Sequence, residues 1–129
     1  MNQRIIQIAL VVKDYDEAIE FYTQKLGFEL IEDTRLNEKK RWVRVRPKGA
    51  SEFALLLAKA KNEAQLAALG NQTGGRVFLF MYTDDIERDY ANLRHHQIPI
   101  VRGPIEEPFG KVVVFEDLYG NLWDLIQPA

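Results

Sequence analysis

The chain contains no cysteine, which excludes disulfides, thiolate nucleophiles and cysteine-ligated zinc. It has no surplus of positive charge. The formal net charge of -2 supplies no electrostatic reason to expect a nucleic-acid partner. No apolar run approaches the length needed to span a bilayer, so no membrane partner is expected. Near the first residues a single Arg4 stands without the apolar stretch and small-residue cleavage site of a secretory leader, and the expected location is the cytoplasm. Two catalytic patterns are also missing. No Ser-His-Asp order is present, and Gly70 to Gly75 lacks the Lys-Ser/Thr ending of a phosphate-binding loop. His95 and His96 are neighbours in a helical stretch. Adjacent residues do not share a helix face, so they are not read as a chelating pair.

What is present is a repeat. From Gln7 a nearly unbroken apolar, β-branched run breaks at Asp14. A helix pattern follows with Tyr15, Ile19, Tyr22 and Leu26 on one face, and Gly27 stops it. Asp14 with Glu17 has the form of a capping box. A related pattern returns at Val77 to Thr83, with Asp84 and Glu87 as the expected cap and Ile86, Tyr90 and Leu93 on the helix face. Self-similarity within one chain is the mark of a repeated unit. The 129 residues fit one domain of ordinary size.

The remaining strands follow from alternation and turn residues. Ile5 to Val12 reads as a strand covered on both faces. Phe28 to Asp33, Arg41 to Arg46 and Phe53 to Ala58 complete a first β-α-β-β-β unit. Asn62 to Leu69 reads as a short helix before the glycine-rich link. In the second unit, Ile98 to Arg102 is a weak strand, with Gly103-Pro104 read as turn material. Glu106 to Gly110 reads as a mobile loop, Lys111 to Phe115 is a strong strand, and Leu122 to Gln127 closes the chain. The expected organisation is a single domain over 1–129, with a first module at 4–60, a connecting segment at 61–75 and a second module at 76–127.

Val12-Lys-Asp14, Phe21-Tyr22 and Leu26-Gly27-Phe28 open the chain, and Glu116-Asp117 through Gly120-Asn121 to Asp124 closes it. Together, in this order and with an internal repeat, they resemble the vicinal oxygen chelate superfamily, which includes glyoxalase I, extradiol dioxygenases and bleomycin-resistance proteins. The resemblance covers nearly the whole chain. It implies an α+β fold in which two β-α-β-β-β modules form a curved, open mixed sheet around a pocket, and it implies a homodimer. It also implies where a divalent metal would be held in metal-dependent relatives. Gln7 falls on the first-strand ligand position and Asp124 on the last-strand one. The fourth-strand position falls near Leu56 and the fifth-strand position on Phe78, and neither side chain can coordinate. A slip of register offers only Val77 or the cation Arg76. A mononuclear site usually needs three or more protein ligands, so no metal cofactor is expected, and any metal would rest on Gln7 and Asp124 alone. A glyoxalase I-type lyase or a dioxygenase is correspondingly disfavoured.

The expected ligand pocket is lined by Gln7, Trp42, Arg44, Leu56, Phe78, Phe80, Tyr82 and Asp124. Phe78, Phe80 and Tyr82 share a strand face by the two-residue period, as either an aromatic pocket wall or plain core. Trp42, Arg44 and Arg46 share another face, turned from Arg41, and offer an aromatic plate and cations. Gln7 is either a pocket-lining polar group or one satisfied by neighbouring backbone. Asp124 is either a site carboxylate or the salt-bridge partner of an arginine such as Arg44. Two functional readings stay open. One is an enzyme acting on a small oxygenated or aromatic metabolite with Asp124 as base. The other is a non-catalytic protein that sequesters a drug or metabolite.

Overall fold

In the computed structural model, which describes residues 1–129, the chain divides into two units, Met1–Ala67 and Ala68–Ala129. The division falls inside the segment read from sequence as the connector. The first unit runs β1 (Gln7–Val12), α1 (Tyr15–Glu20), β2 (Glu29–Arg35), β3 (Arg41–Arg46), β4 (Ala54–Lys59) and a short α2 (Glu63–Ala67). The second runs β5 (Val77–Tyr82), α3 (Ile86–His95), β6 (Ile100–Glu107), β7 (Gly110–Glu116) and β8 (Leu122–Pro128). Each unit builds an open four-stranded mixed sheet, in the orders β1-β4-β3-β2 and β5-β8-β7-β6. First and last strands pair parallel in both units, and the other pairs are antiparallel. The two units therefore have one topology.

Alternation sets which residues form the core. In the first unit Leu10, Val12, Val43, Val45, Leu55 and Leu57 are fully buried and, by register, share one sheet face. α1 covers that face with Tyr15 and Ala18. Full burial of each such Val or Leu side chain contributes about 1.5–3 kcal/mol. In the second unit Val113, Phe115, Trp123 and Leu125 take this role beneath Ile86 and Leu93 of α3. Trp123 stacks on Phe115 with ring centroids 5.8 Å apart. No helix is long and apolar enough to cross a membrane.

The local signals act with some changes of position. Asp14 caps α1 by accepting the Glu17 N–H at 2.9 Å. Its counterpart is Asp85, which accepts the Arg88 N–H at 3.1 Å, and not Asp84 as the spacing suggested. A cap must directly precede the first helical residue. Sheet bonding reaches Thr83, whose N–H meets the Ile126 carbonyl at 2.9 Å, so the helix begins one position later than the spacing implied. Asp84 instead pairs with the Arg88 guanidinium at 2.9 Å. After α1 comes a π turn, Phe21–Lys25. Its adjacent Phe21 and Tyr22 are both buried, with their rings edge to face at 5.2 Å. Gly27, at φ +76°, reverses the chain, and the Phe28 N–H reaches the Tyr22 carbonyl at 2.8 Å.

Three strand readings change. β1 is an edge strand in its sheet, with Ala9 exposed, and it is not covered on both faces. Ile5 and Ile6 lie outside it and are exposed. β6 does not stop before Gly103-Pro104 but passes through both, with its register against β7 shifting between Arg102 and Ile105. Pro104 has no N–H to give, and such a residue is tolerated in a sheet on an edge strand or at a bulge. Glu106 and Glu107 consequently belong to the strand, and only Pro108-Phe109 form the turn into Gly110. The expected loop is thus a tight hairpin.

Candidate functional site

Residues paired across neighbouring strands point to the same side of a sheet. On the face of the first sheet turned from α1, a row runs Ala9, Leu56, Arg44, Glu32 across β1, β4, β3 and β2. The corresponding row of the second sheet runs Phe80, Asp124, Val114, Arg102 across β5, β8, β7 and β6. Leu56 and Asp124 therefore hold the same place in the two repeats. Apart from Phe78, the residues read from sequence as pocket lining fall on these faces by register and parity.

In the first unit Arg44 organises the row. Its Nε donates to Gln7 Oε1 at 2.8 Å, and its Nη1 lies 3.5 Å from a Glu32 carboxylate oxygen. Gln7 is thus satisfied by a side chain and not by neighbouring backbone. Trp42 and Arg46 flank Arg44 on the same face by parity, and Arg46 lies 3.6 Å from Glu29. Arg41 is on the opposite face. It binds Asp33 at 2.7 Å and Asp16 at 2.9 Å, and its guanidinium sits 5.2 Å from the centre of the Tyr15 ring. The hydrogen bond from Arg41 is the main cause holding the Asp33 carboxyl below its ordinary range.

The divalent ion implied by family resemblance does not fit this donor set. The Gln7 oxygen is already held by a guanidinium, and that positive charge opposes a second cation. Leu56 brings no donor atom. No group of three or more His, Cys, Asp or Glu side chains in the chain comes together in a way that could hold a metal.

In the second unit Asp124 is embedded among apolar groups. Val114 and Phe80 are its cross-strand neighbours, and Leu122, Ile126 and Val112 pack nearby. Its Oδ1 is buried with no hydrogen-bond partner. Burial pushes its carboxyl above the ordinary value of 3.8, with the charge of Arg102 opposing. Arg102 makes no ion pair with it: the guanidinium is bound to Glu107 at 2.7 Å. Arg44, the arginine considered from sequence as an ion-pair partner for Asp124, is engaged by Gln7 and Glu32. Next to Asp124, Phe80 and Tyr82 are 66% and 74% exposed, unusual for aromatics on a sheet. Phe78 does not follow their alternation. The register between β5 and β8 shifts between Val77 and Leu79, and a one-residue shift interrupts the two-residue period at Phe78.

Asp117, quoted in the closing motif without a role, has a clear one. Its buried carboxylate accepts from the N–H groups of Tyr119 and Asn121 at 3.1 and 2.9 Å. It also accepts from Asn121 Nδ2 at 2.9 Å and Trp123 Nε1 at 3.2 Å. The motif locks the turn that sets the register of β8, and so places Asp124. Glu32 and Arg102 were missed because their relevance depends on which strands become neighbours. A separate groove of about 390 Å³ lies between α3 and the β6–β7 hairpin, lined by Ile86, Glu87, Tyr90, Ile105, Glu106 and Lys111 among others. None of the predicted site residues lines it.

Comparison with known proteins agrees with this geometry. The model of the Glyoxalase/Bleomycin resistance protein/Dioxygenase superfamily matches residues 4–125. An uncharacterized protein of Shewanella frigidimarina (strain NCIMB 400) is 57% identical over 128 residues, covering 98% of this chain and 95% of its own length. Among solved structures, UcmS2 is similar with a TM-score of 0.85 and 30% identity, covering 98% of each chain. TnmS3, an antibiotic binding protein from Streptomyces sp. CB03234, has a TM-score of 0.79 and 28% identity, covering 99% of this chain and 98% of that one.

Proposed function

The chain belongs to the glyoxalase/bleomycin resistance protein/dioxygenase superfamily, and from that premise we propose that it is a cytoplasmic small-molecule-binding protein that works without a resident metal and holds its ligand unaltered. The observation that carries this reading is the outer face of the second sheet. Exposed Phe80 and Tyr82 there border an acid whose buried oxygen lacks a partner. Ligand sites combine apolar and aromatic lining with a few placed polar groups, and this face offers both kinds of group. The binding role of TnmS3, an antibiotic binding protein of the same fold, supports it by analogy. Leu56 in place of a donor, and Gln7 held by Arg44, support independence from metal. On the first sheet Trp42, Arg44 and Gln7 are the contacts assigned to this reading. The protein is also proposed to be a homodimer, for which light scattering should return about twice the 15.0 kDa chain mass.

The test is a screen of planar aromatic compounds by tryptophan fluorescence, with and without a chelator, followed by mass spectrometry of the recovered ligand. Saturable binding that survives chelation and returns the compound unchanged is expected. Binding lost on chelation and restored by a metal would overturn the metal-free reading. An altered compound would favour a second reading, in which Asp124 acts as general base. That reading has one specific observation behind it: desolvation raises the Asp124 carboxyl above its ordinary value, the direction that makes a carboxylate a stronger base.

A further inference from the structure

We propose that the groove between α3 and the β6–β7 hairpin is a second ligand site, which takes a small, compact, apolar ammonium compound with its charge on Glu106. The groove lies on the other side of the second sheet from Asp124. Lys111 follows the parity of Val113 and Phe115, which pack beneath α3, and Glu106 is its direct cross-strand partner. Asp124 pairs with Val114 and so faces the opposite way. The site is therefore independent of any ligand held by the face that carries Phe80 and Tyr82. Its volume of about 390 Å³ falls within the range of small-molecule pockets.

The lining sets the chemistry. Ile86, Pro104 and Ile105 supply apolar contact, and Tyr90 supplies a ring. Ile86 and Tyr90 are four residues apart on α3 and so share one face of the helix. Three charged side chains complete the lining, with Glu87 and Glu106 outnumbering Lys111. Lys111 Nζ lies 4.0 Å from Glu87 Oε1, which commits the one base to that acid. Glu106 has no such partner, because Arg102 of the same strand is held by Glu107 at 2.7 Å. The groove thus carries one carboxylate in excess, and a single cation balances it. The Tyr90 ring does not take that charge. The Arg94 guanidinium already lies 5.8 Å from the ring centre, with Nη1 3.4 Å from the hydroxyl, and a second cation there would meet it. An ammonium group is directed to Glu106, and its apolar body to the ring and the two isoleucines. A neutral analogue keeps the apolar contact and leaves Glu106 to water. A carboxylate of the same shape meets Glu87 and Glu106 as like charges.

Three saturated probes test this: cyclohexylmethylamine, cyclohexylmethanol and cyclohexane carboxylate. Each is titrated into the ¹⁵N-labelled chain and followed by amide shifts, in wild type, Glu106→Gln and Lys111→Met, with thermal melts of all three. Wild type should saturate with the amine, with shifts centred on Ile86, Glu87, Tyr90 and Ile105. It should bind the amine about fivefold more tightly than the alcohol, and the carboxylate more weakly still. The amine preference should shrink as salt rises. Glu106→Gln should bind amine and alcohol alike. Lys111→Met frees Glu87 and should tighten the amine about twofold, a gain that decides the matter if Glu106→Gln fails to fold. Equal binding of amine and alcohol by wild type, or an amine preference that survives Glu106→Gln, would overturn the proposal. Amine shifts centred on Phe80 and Tyr82 would overturn it in favour of the other face. Groove shifts that saturate only with a capped tripeptide carrying a central lysine would give the groove to a peptide partner. Groove shifts that follow protein concentration without probe would give it to a second copy. None of these failures touches the small-molecule reading above, which planar aromatic compounds test on the opposite face.

Discussion

On the first sheet, Arg44 is met by Gln7 at 2.8 Å and by Glu32 at 3.5 Å. On the second sheet, built with the same strand order, Asp124 Oδ1 is met by nothing. The rows explain the difference. In the first, arginine and glutamate occupy adjacent strands, close enough to pair. In the second, Val114 separates arginine from aspartate, and each is left to find another partner. Arg102 finds Glu107, and Asp124 finds none. One topology thus supports a face whose central arginine is paired within its row and a face whose buried carboxylate oxygen is unpaired beside exposed aromatics, while at the edge of the first face Arg46 Nε also lacks a hydrogen bond and has only the Glu29 carboxylate at 3.6 Å. The lesson is that the placement of charge within a cross-strand row, and not the topology, decides which polar groups of a repeat find partners.

The largest expected effect tests whether the scaffolds differ as their faces do. The second unit closes its last hairpin with Asp117, which holds the N–H groups of Tyr119 and Asn121 and the side chains of Asn121 and Trp123. The matching turn of the first unit has a backbone bond from Ala50 to Pro47 at 3.2 Å and a long contact from Arg46 to the Ser51 carbonyl at 3.4 Å. Asp117→Ala should destabilise by about 3–5 kcal/mol, because several buried donors lose their acceptor at once. Ser51→Ala should stay within about 0.5 kcal/mol of wild type. Chemical denaturation of both variants checks the pair. Equal losses would mean that the two turns do the same job and that the contrast between units is confined to their faces.

The next effect concerns sign. Arg44→Leu leaves the Gln7 amide and the Glu32 carboxylate without their cation, and should cost about 1–3 kcal/mol. Asp124→Leu removes an acceptor that has no donor, and should be neutral or raise stability by about 1 kcal/mol. Opposite signs in urea melts sharpen the comparison. A comparable loss in both variants would show that Asp124 is structurally paired after all.

Proton linkage carries the same contrast more finely. Desolvation raises Asp124 above 3.8, so the folded chain holds that proton more tightly than the unfolded chain. Its contribution to stability is most favourable at low pH. It falls as pH rises from 3.8 through the raised folded value, and then stays constant. Asp33 behaves in the opposite sense, because its bond to Arg41 lowers it from 3.8. Its contribution is present above 3.8 and is lost as pH falls through the depressed folded value. In melting curves across this range, Asp124→Asn should therefore gain on wild type as pH rises, and Asp33→Asn should lose. Parallel trends in the two variants would remove the distinction.

The sequence carried the repeat, the strand order and most element positions, because alternation and caps are local signals. It did not carry the features that depend on pairing. Asp84 and Asp85 are equally good caps until sheet bonding at Thr83 delays the helix. Phe78 keeps the two-residue period on paper, and the register shift in β5 interrupts it. Gly103-Pro104 has the chemistry of a turn, yet pairing with β7 draws both into β6. The bond between Gln7 and Arg44 crosses two strand boundaries and becomes visible only once β4 is placed between β1 and β3. Asp124 was legible as a carboxylate in an apolar strand. Its lack of a partner depends on Val114 standing between it and Arg102, which no spacing along the chain reveals.

The smallest effect on stability belongs to the residues with the clearest expected effect on binding. Phe80 and Tyr82 are 66% and 74% exposed, so truncating them removes little buried area. Phe80→Ser and Tyr82→Ser should each change unfolding free energy by no more than about 0.5 kcal/mol. A core aromatic such as Phe115, fully buried and stacked on Trp123, should cost about 3–5 kcal/mol when cut to alanine. If the second face is the one that meets ligand, the double variant Phe80→Ser/Tyr82→Ser should melt like wild type yet bind planar aromatic probes about tenfold or more weakly, as expected for losing two aromatic contacts. The matching change on the first face is Trp42→Ser, read by binding calorimetry because it removes a fluorophore. Its loss should be the smaller of the two, since Arg44 beside Trp42 is already engaged by Gln7 and Glu32. A larger loss at Trp42 than at Phe80 and Tyr82 would reverse the comparison and move the principal ligand contact to the first sheet. A double variant that binds normally would show that the exposed aromatics of β5 serve something other than the ligand.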